Sequence, residues 1–270
     1  MTEGLKSYFQ PIHPVHVNHE GASLCVETLA RMVKDGKTFS PDQFLPNIEA
    51  LDKMPELFRV MFKNACELVA HTSDKLPLSA SVNLDAKTIL TSDMGFYMSE
   101  TTKIYGVNPG AIKLEIVEAS YEQHLTPKEA RLFYKNLAHM HLAGFPISMD
   151  DFGQDGSNAY RYLTLLRKGI NVGTIKLDKT LMPSRNDCYS DVLTKQSQCG
   201  FSCALRYAKA NGISLDFVLE GADRHDIDYY QQRIGPDHAL YKQGYHWGMP
   251  QSAETFYSTH HLPSKSFNLK

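Results

Sequence analysis

The chain carries acidic and amide side chains inside otherwise apolar β-prone runs. Glu27 lies in SLCVETLAR, Asn83 ends LSASVN, and Glu115 interrupts IKLEIV. Asp150 and Asp151 end PISMDD, Lys176 interrupts TIKLD, and Glu220 ends DFVLE. A buried, unpaired carboxylate is expensive. Several brought together repel one another and call for a cation. Oxygen ligands without clustered cysteine point to a hard ion, Mg²⁺ or Mn²⁺, rather than structural zinc. Ca²⁺ fits the same ligands at longer distances and is expected to inhibit chemistry that needs the tighter geometry. Any one of these residues alone could be a strand-end carboxylate satisfied by a backbone amide; gathered on one face, they call for a metal.

That gathering depends on the elements that carry them. Strand-like segments over 7–14 and 23–31 are joined by a turn around Asn18–Gly21. Further strands are expected over 78–83, 111–117, 146–150, 174–177, 214–219 and 239–244. Helices are expected over 41–50, 54–71, 87–105, 126–143, 157–168, 190–211 and 224–234, with a last one from Ser252. Pro41 follows Ser40 at a helix start, and Thr126 with Glu129 forms a capping box that Gly144 answers at the other end. The alternation predicts a parallel sheet, and about eight strands favour a (β/α)8-like TIM-type barrel of the α/β class. The first two strands are too close for a parallel crossover, so one near the N-terminus should run antiparallel. In such a barrel the C-terminal strand ends converge on one face, where active sites are built. Lys176 and Asp178 share one side of their strand. Asp150 and Asp151 cannot both face one way in a regular strand. One must sit where the chain turns into Phe152–Gly153, a place suited to bridging two ions.

Composition narrows the class. The 270 residues suit one barrel, read here as a single domain over 1–270. The formal net charge is −2, and no Lys/Arg run tracks a nucleic-acid duplex. No apolar run spans a bilayer and the start lacks a signal-peptide pattern, so the cytoplasm is the expected location. The five cysteines make no even disulfide framework.

With these residues in place the sequence resembles the EAL family of cyclic di-GMP phosphodiesterases. Tyr8-Phe9-Gln10-Pro11-Ile12 resembles its opening YQPI strand, and Glu27-Thr28-Leu29-Ala30-Arg31 its EALLR segment. Phe44-Leu45-Pro46 resembles FIP, Val82-Asn83-Leu84 the strand with the Asn ligand, and Leu114-Glu115-Ile116-Val117-Glu118 LEITE. Asp150-Asp151-Phe152-Gly153 is DDFG unchanged, and Ile175-Lys176-Leu177-Asp178-Lys179 is similar to IKIDK. Glu220-Gly221-Ala222-Asp223 resembles EGVE, and Gln243-Gly244-Tyr245 with Pro250 the closing QGY segment.

The resemblance implies a metal site formed by Glu27, Asn83, Glu115, Asp150, Asp151 and Glu220. It implies a catalytic set of Lys176, Glu27, Glu220 and Asp178, in which Lys176 positions or deprotonates the attacking water. Gln10, Arg31 and Gln243 would contact the ligand. Glu118 would steady the loop after DDFG, and Asp223 would support it. The implied reaction opens cyclic di-GMP to linear pGpG with two Mg²⁺ or Mn²⁺ ions, often in a homodimer. Three departures stand out: Thr28 for Ala, Asp223 for Glu, and one extra residue in the loop 153–158. Thr28 points away from the side shared by Glu27 and Leu29. With no sensory or cyclase segment in view, regulation is expected from the dimer or a separate protein partner. The rival reading is a retired module that binds cyclic di-GMP or a protein without hydrolysis; a retired site usually loses carboxylates or the lysine, and here all match.

Other signals read more plainly. His13, His16 and His19 are taken as surface histidines, and Cys199 with Cys203 as helix core packing. Phe58, Phe62, Phe133 and Tyr134 fall at helical spacings expected of core. Trp247 and Tyr245 are placed near the barrel mouth, either stacking on a base or packing the last strand.

Overall fold

The structure is a computed structural model, described over residues 4–15, 24–72, 77–117, 125–153, 158–185 and 191–260. In chain order the strands are β1 (Leu5–Pro14), β2 (Leu24–Lys34), β3 (Lys37–Phe39), β4 (Leu78–Leu84) and β5 (Ile112–Ile116). They continue with β6 (Ile147–Phe152), β7 (Val172–Leu177), β8 (Asp216–Glu220), β9 (Leu240–Gln243) and β10 (Gln251–Ser252). The helices are α1 (Pro41–Ala50), α2 (Met54–Thr72), α3 (Ala86–Leu90), α4 (Met94–Tyr105) and α5 (Pro127–Leu142). After them come α6 (Ala159–Arg167), α7 (Asp191–Ala210), α8 (Arg224–Ile234) and α9 (Ala253–Thr259).

The strands close into a barrel. From β2 the order runs β4, β5, β6, β7, β8, β9 and β1, and β1 returns to β2. Strand β1 is antiparallel to both β2 and β9, while the other neighbours around the ring are parallel. The expected barrel with an antiparallel strand near its start is therefore present. Strands β3 and β10 are additions that the sequence pattern did not reveal; both are short and lie at the rim, paired with β2 and β1. The turn expected around Asn18–Gly21 lies outside the described residues.

Local sequence explains the helix boundaries. Thr126 and Glu129 form the expected reciprocal cap of α5, and Ser40 with Gln43 does the same for α1. The single helix expected over 87–105 is instead two. Asp85 accepts from Thr88 N to start α3, Thr91 is extended and ends it, and Asp93 stands before α4. Thr91-Ser92-Asp93 is a run of residues that compete with the helical backbone for hydrogen bonds, which is why the helix breaks there.

Apolar side chains on the outer face of the barrel pack against the helices. Phe62 is fully buried, stacks on Phe58 at 5.6 Å and meets Phe145 edge-on at 5.8 Å. Burying one such ring contributes roughly 1.5–3 kcal/mol. Phe133 is buried as expected and Tyr134 partly so. Cys199 and Cys203 are not core: both thiols are exposed on α7, whose inner face is carried by Phe201, Ala204, Leu205 and Ala208. Among the described residues no helix is long and apolar enough to cross a membrane.

Candidate active site at the barrel mouth

Period-two geometry stacks the barrel interior in layers. A lower layer of Ile12, Cys25, Ser79, Lys113, Thr174, Val218 and Tyr241 lines a small cavity of about 30 Å³. Lys113 Nζ donates to Thr174 Oγ1 across this layer at 2.9 Å. Two residues further along each parallel strand lies the next layer up: Glu27, Ser81, Glu115, Lys176, Glu220 and Gln243. On antiparallel β1 the step runs backward, from Ile12 to Gln10. The register agrees, setting Gln10 opposite Glu27 and Glu220 opposite Gln243.

Lys176 stands at the centre of the upper layer with about 1% of its surface exposed. Its Nζ lies 2.9 Å from Asp150 Oδ1 and Glu220 Oε1, and 3.2 Å from Glu27 Oε2 and Glu115 Oε2. Glu27 also accepts from Asn83 Nδ2 at 3.0 Å and from Gln243 Nε2. Gln243 Nε2 reaches Gln10 Oε1 at 3.4 Å, and Gln10 Nε2 donates to Gly248 O at 3.1 Å. Arg31, on the raised end of β2, donates to Ala30 O and lies over the Tyr8 ring.

The adjacent aspartates reach the mouth by a bulge inside β6, not by one of them falling in the turn. Met149 pairs with Ile175 and Phe152 with Leu177, so two residues, Asp150 and Asp151, stand opposite Lys176 alone. The extra residue is accommodated by Asp151 at a φ of 47°, a conformation uncommon outside glycine and concentrated at functional sites. Asp178 follows β7, is buried, and accepts from Thr180 N at 2.7 Å.

The electrostatics follow from four carboxylates in contact with one ammonium, with Asp151 beside them. Burial pushes Glu115 and Glu220 each up to about 8, against the pull of Lys176, with Glu27 and Asp150 adding repulsion. Burial and then Asp150 raise Asp151 to about 6. Burial also works against ionised Glu27, but Lys176 and the Gln243 and Asn83 amides outweigh it, and its pKa is lowered. Burial opposes charge on Lys176 as well; the surrounding carboxylates overcome this and hold its pKa well above the ordinary lysine value.

The donor set fits a metal. Ligand atoms of Glu27, Glu115 and Asp150 lie within 4.8 Å of one another, and so do those of Asp150, Asp151 and Glu220. Asp150 belongs to both groups. Asn83 Oδ1 is buried beside Glu27 with no hydrogen-bond partner among the described residues. Such an orphaned acceptor is what a cation completes.

Beside Asn83 and Asp151 opens a crevice of about 300 Å³, walled by Leu29, Pro41, Leu45, Phe58 and Met61. Thr28 lines its wall. Across the mouth, Trp247 Nε1 donates to Ala222 O and its ring lies 3.8 Å from Lys242 Nζ, so Trp247 packs the last strand. Tyr245 projects, 72% exposed.

Asp223 is at the edge of this assembly. Its carboxylate caps α8 by accepting from Asp226 N at 3.0 Å. Backbone bonding and a Ser184 contact lower the Asp223 pKa. The further bonds from α8 to the segment after β7 come from Asp226 and Tyr230, neither singled out in the sequence; for Asp226, the D-x-x-D spacing with Asp223 is the capping signal that could have found it. Glu118, His16, His19, Cys188 and residues 154–157 lie outside the described residues. His13 is half-buried.

A barrel with carboxylates from successive strand ends around a central lysine defines a class, and comparison with known proteins agrees. The EAL-domain family model matches residues 2–214. The chain belongs to the EAL-domain family. The match stops short of Glu220 and Gln243, whose place in the site rests on the geometry above. Similar proteins include the probable cyclic di-GMP phosphodiesterase PdeA of Escherichia coli K12, 29% identical over 246 residues, covering 90% of this chain and 30% of PdeA. The signaling protein YkoW of Bacillus subtilis 168 is 24% identical over 232 residues, covering 85% of this chain and 26% of YkoW. The chain thus spans under a third of the length of either relative. The phosphodiesterase PaMucR, solved with cyclic di-GMP, shares the fold with a TM-score of 0.69 at 20% identity, over 94% of this chain and 99% of that one. An EAL-domain protein of Listeria monocytogenes EGD-e superposes with a TM-score of 0.70 at 20% identity, over 95% and 92%.

Proposed function

We propose that this chain is a metal-dependent phosphodiesterase that hydrolyses cyclic di-GMP to linear pGpG by in-line attack of water at phosphorus. One observation carries the reading: two carboxylate groups share Asp150 around Lys176, with the orphaned Asn83 Oδ1 beside them. Glu27, Asn83, Glu115, Asp150, Asp151 and Glu220 would hold two Mg²⁺ or Mn²⁺ ions. When bound, such ions neutralise phosphate charge and make water a better nucleophile.

The chain's own residues supply the rest. Lys176 is held as an ammonium by four carboxylates, so it serves the attacking water as a hydrogen-bond donor rather than as a base. The proton lost by water passes to a neighbouring carboxylate; Glu220, 2.9 Å from Lys176 and at the more exposed edge of the cluster, suits that role. Asp178 faces the same mouth and fixes the chain after β7. Gln243 and Gln10 orient Glu27 from below the reacting phosphate. Arg31 on the raised β2 lip meets a second phosphate or a base edge. The apolar crevice beside Asn83 has room for a purine, and exposed Tyr245 offers a stacking face on the other side.

The relatives' names support the substrate: PdeA is a probable cyclic di-GMP phosphodiesterase, and PaMucR was solved with that dinucleotide. The active form is proposed to be a homodimer in the cytoplasm. The test is incubation of purified protein with cyclic di-GMP and Mg²⁺ or Mn²⁺, followed by chromatography. Appearance of pGpG is the expected result. Tight binding with no pGpG in any metal establishes the binding-only module instead.

A further inference from the structure

The segment after β7 leaves the active-site lysine and runs beneath the β6 bulge. Two side chains of α8 hold it. Asp226 is fully buried and accepts from Ser184 N at 2.8 Å and Ser184 Oγ at 2.6 Å, and from Asp223 N at 2.9 Å. One turn on, Tyr230 donates from Oη to Leu181 O at 2.8 Å. Its buried ring sits edge-on to Phe201, 5.5 Å away, and Phe201 to Phe217 of β8. The tyrosine is thus fixed from behind by the barrel.

Leu181 passes this restraint to the aspartates. Its side chain presses on Gly153, where a Cβ would come within 2.8 Å of Leu181 Cδ1. Gly153 has a φ of 110° and follows Asp151 and Phe152 directly. Asp178 N also donates to Phe152 O at 3.4 Å. A bulge with a residue at positive φ persists only when its surroundings over-determine it. Here Leu181 from below and the β7 backbone from the side do so.

We propose that Asp226 and Tyr230 are positioning residues for Asp150 and Asp151, acting through Ser184, Leu181 and Gly153. The inference rests on the metal-site reading above and adds a brace some way from the ligands. Metal sites depend on such outer contacts: losing one commonly lowers metal affinity by about 10–100-fold.

The experiment is Mn²⁺ calorimetry without substrate on the full chain, comparing the parent protein with Tyr230→Phe, Asp226→Asn and the control Tyr229→Phe. Melting in chelator is recorded alongside. Tyr230→Phe removes one hydrogen bond and keeps the ring, so it decides the matter even if Asp226→Asn does not fold. The expected result is a Kd for Mn²⁺ raised about tenfold in Tyr230→Phe, with Tyr229→Phe at the parent value. A Tyr230→Phe protein that melts lower but binds Mn²⁺ within about twofold of the parent overturns the proposal and leaves the metal site standing. A parent protein that binds no Mn²⁺ overturns both together.

Discussion

Lys176 Nζ lies 2.9 Å from Asp150 Oδ1, at the point where the two candidate metal groups overlap. An ammonium there lets several carboxylates share a buried space before any ion arrives. Lys176→Ala should lower pGpG production by roughly 10²–10³-fold, the usual cost of losing one preorganised hydrogen-bond donor. Mn²⁺ binding should persist, because the lysine donates no metal bond. Calorimetry beside the rate assay checks this; a variant that hydrolyses at the parent rate reduces Lys176 to a structural counter-ion.

Glu27 and Glu220 should respond in opposite directions to loss of charge. The environment of Glu27 favours its charge, since it gathers Lys176, Asn83 and Gln243. Burial disfavours charge on Glu220. At pH 8 in chelator, Glu27→Gln should therefore melt lower than the parent and Glu220→Gln higher, while both lose turnover at saturating Mg²⁺. Shifts of equal sign in the melting assay contradict the charge distribution; retained turnover contradicts the ligand set.

The metal-free protein should weaken as pH rises from about 5 to 8. Glu115 and Glu220, each pushed up to about 8, and Asp151, at about 6, bind protons in the folded state that the unfolded chain has already released. Stability falls with pH wherever the folded state holds more protons. Their contribution is least unfavourable below the ordinary carboxylate range, and the decline ends above about 8. Added Mn²⁺ should abolish much of this decline, because metal affinity rises as the ligands deprotonate. Melting temperatures across this range, with and without Mn²⁺, test it; a flat metal-free profile defeats the prediction.

Replacing Mg²⁺ with Ca²⁺ should separate binding from hydrolysis. Mg²⁺ holds oxygens at about 2.0–2.1 Å in strict octahedra, and Ca²⁺ at about 2.3–2.6 Å with looser geometry. The charge that attracts phosphate is the same. Cyclic di-GMP should bind in Ca²⁺ with little pGpG formed, and Mg²⁺ should restore cleavage. Comparable turnover in both ions speaks against a geometry-sensitive displacement.

Much of this site was legible because polar residues in apolar strands have few places to go. Period two puts Glu27, Glu115, Lys176 and Glu220 on the inner faces of their strands, while their common layer, and the place of Gln10 in it, follow from the register. Asp150 and Asp151 show the limit. Their adjacency announces an irregularity, but whether it is a turn or a bulge depends on the register of β7, a long-range fact. The same holds for Asp226, whose capping pattern is visible while its reach to Ser184, across 42 positions, is not. The break between α3 and α4 was missed for a different reason: the apolar period continues through Thr91-Ser92-Asp93 while the backbone does not. Cys199 and Cys203 were misassigned because spacing by four selects a helix face without saying which face is wet.

The lower layer of the barrel has a kinetic consequence. Ile12, Cys25, Val218 and Tyr241 plug the floor, and the space they leave, about 30 Å³, admits nothing larger than a couple of waters. Side chains of the described residues thus fill the floor. On the proposed function, a cyclic reactant and its opened product would share the mouth above, in turn. Release would then retrace entry, and product that lingers at Asn83 and Arg31 would block the next molecule.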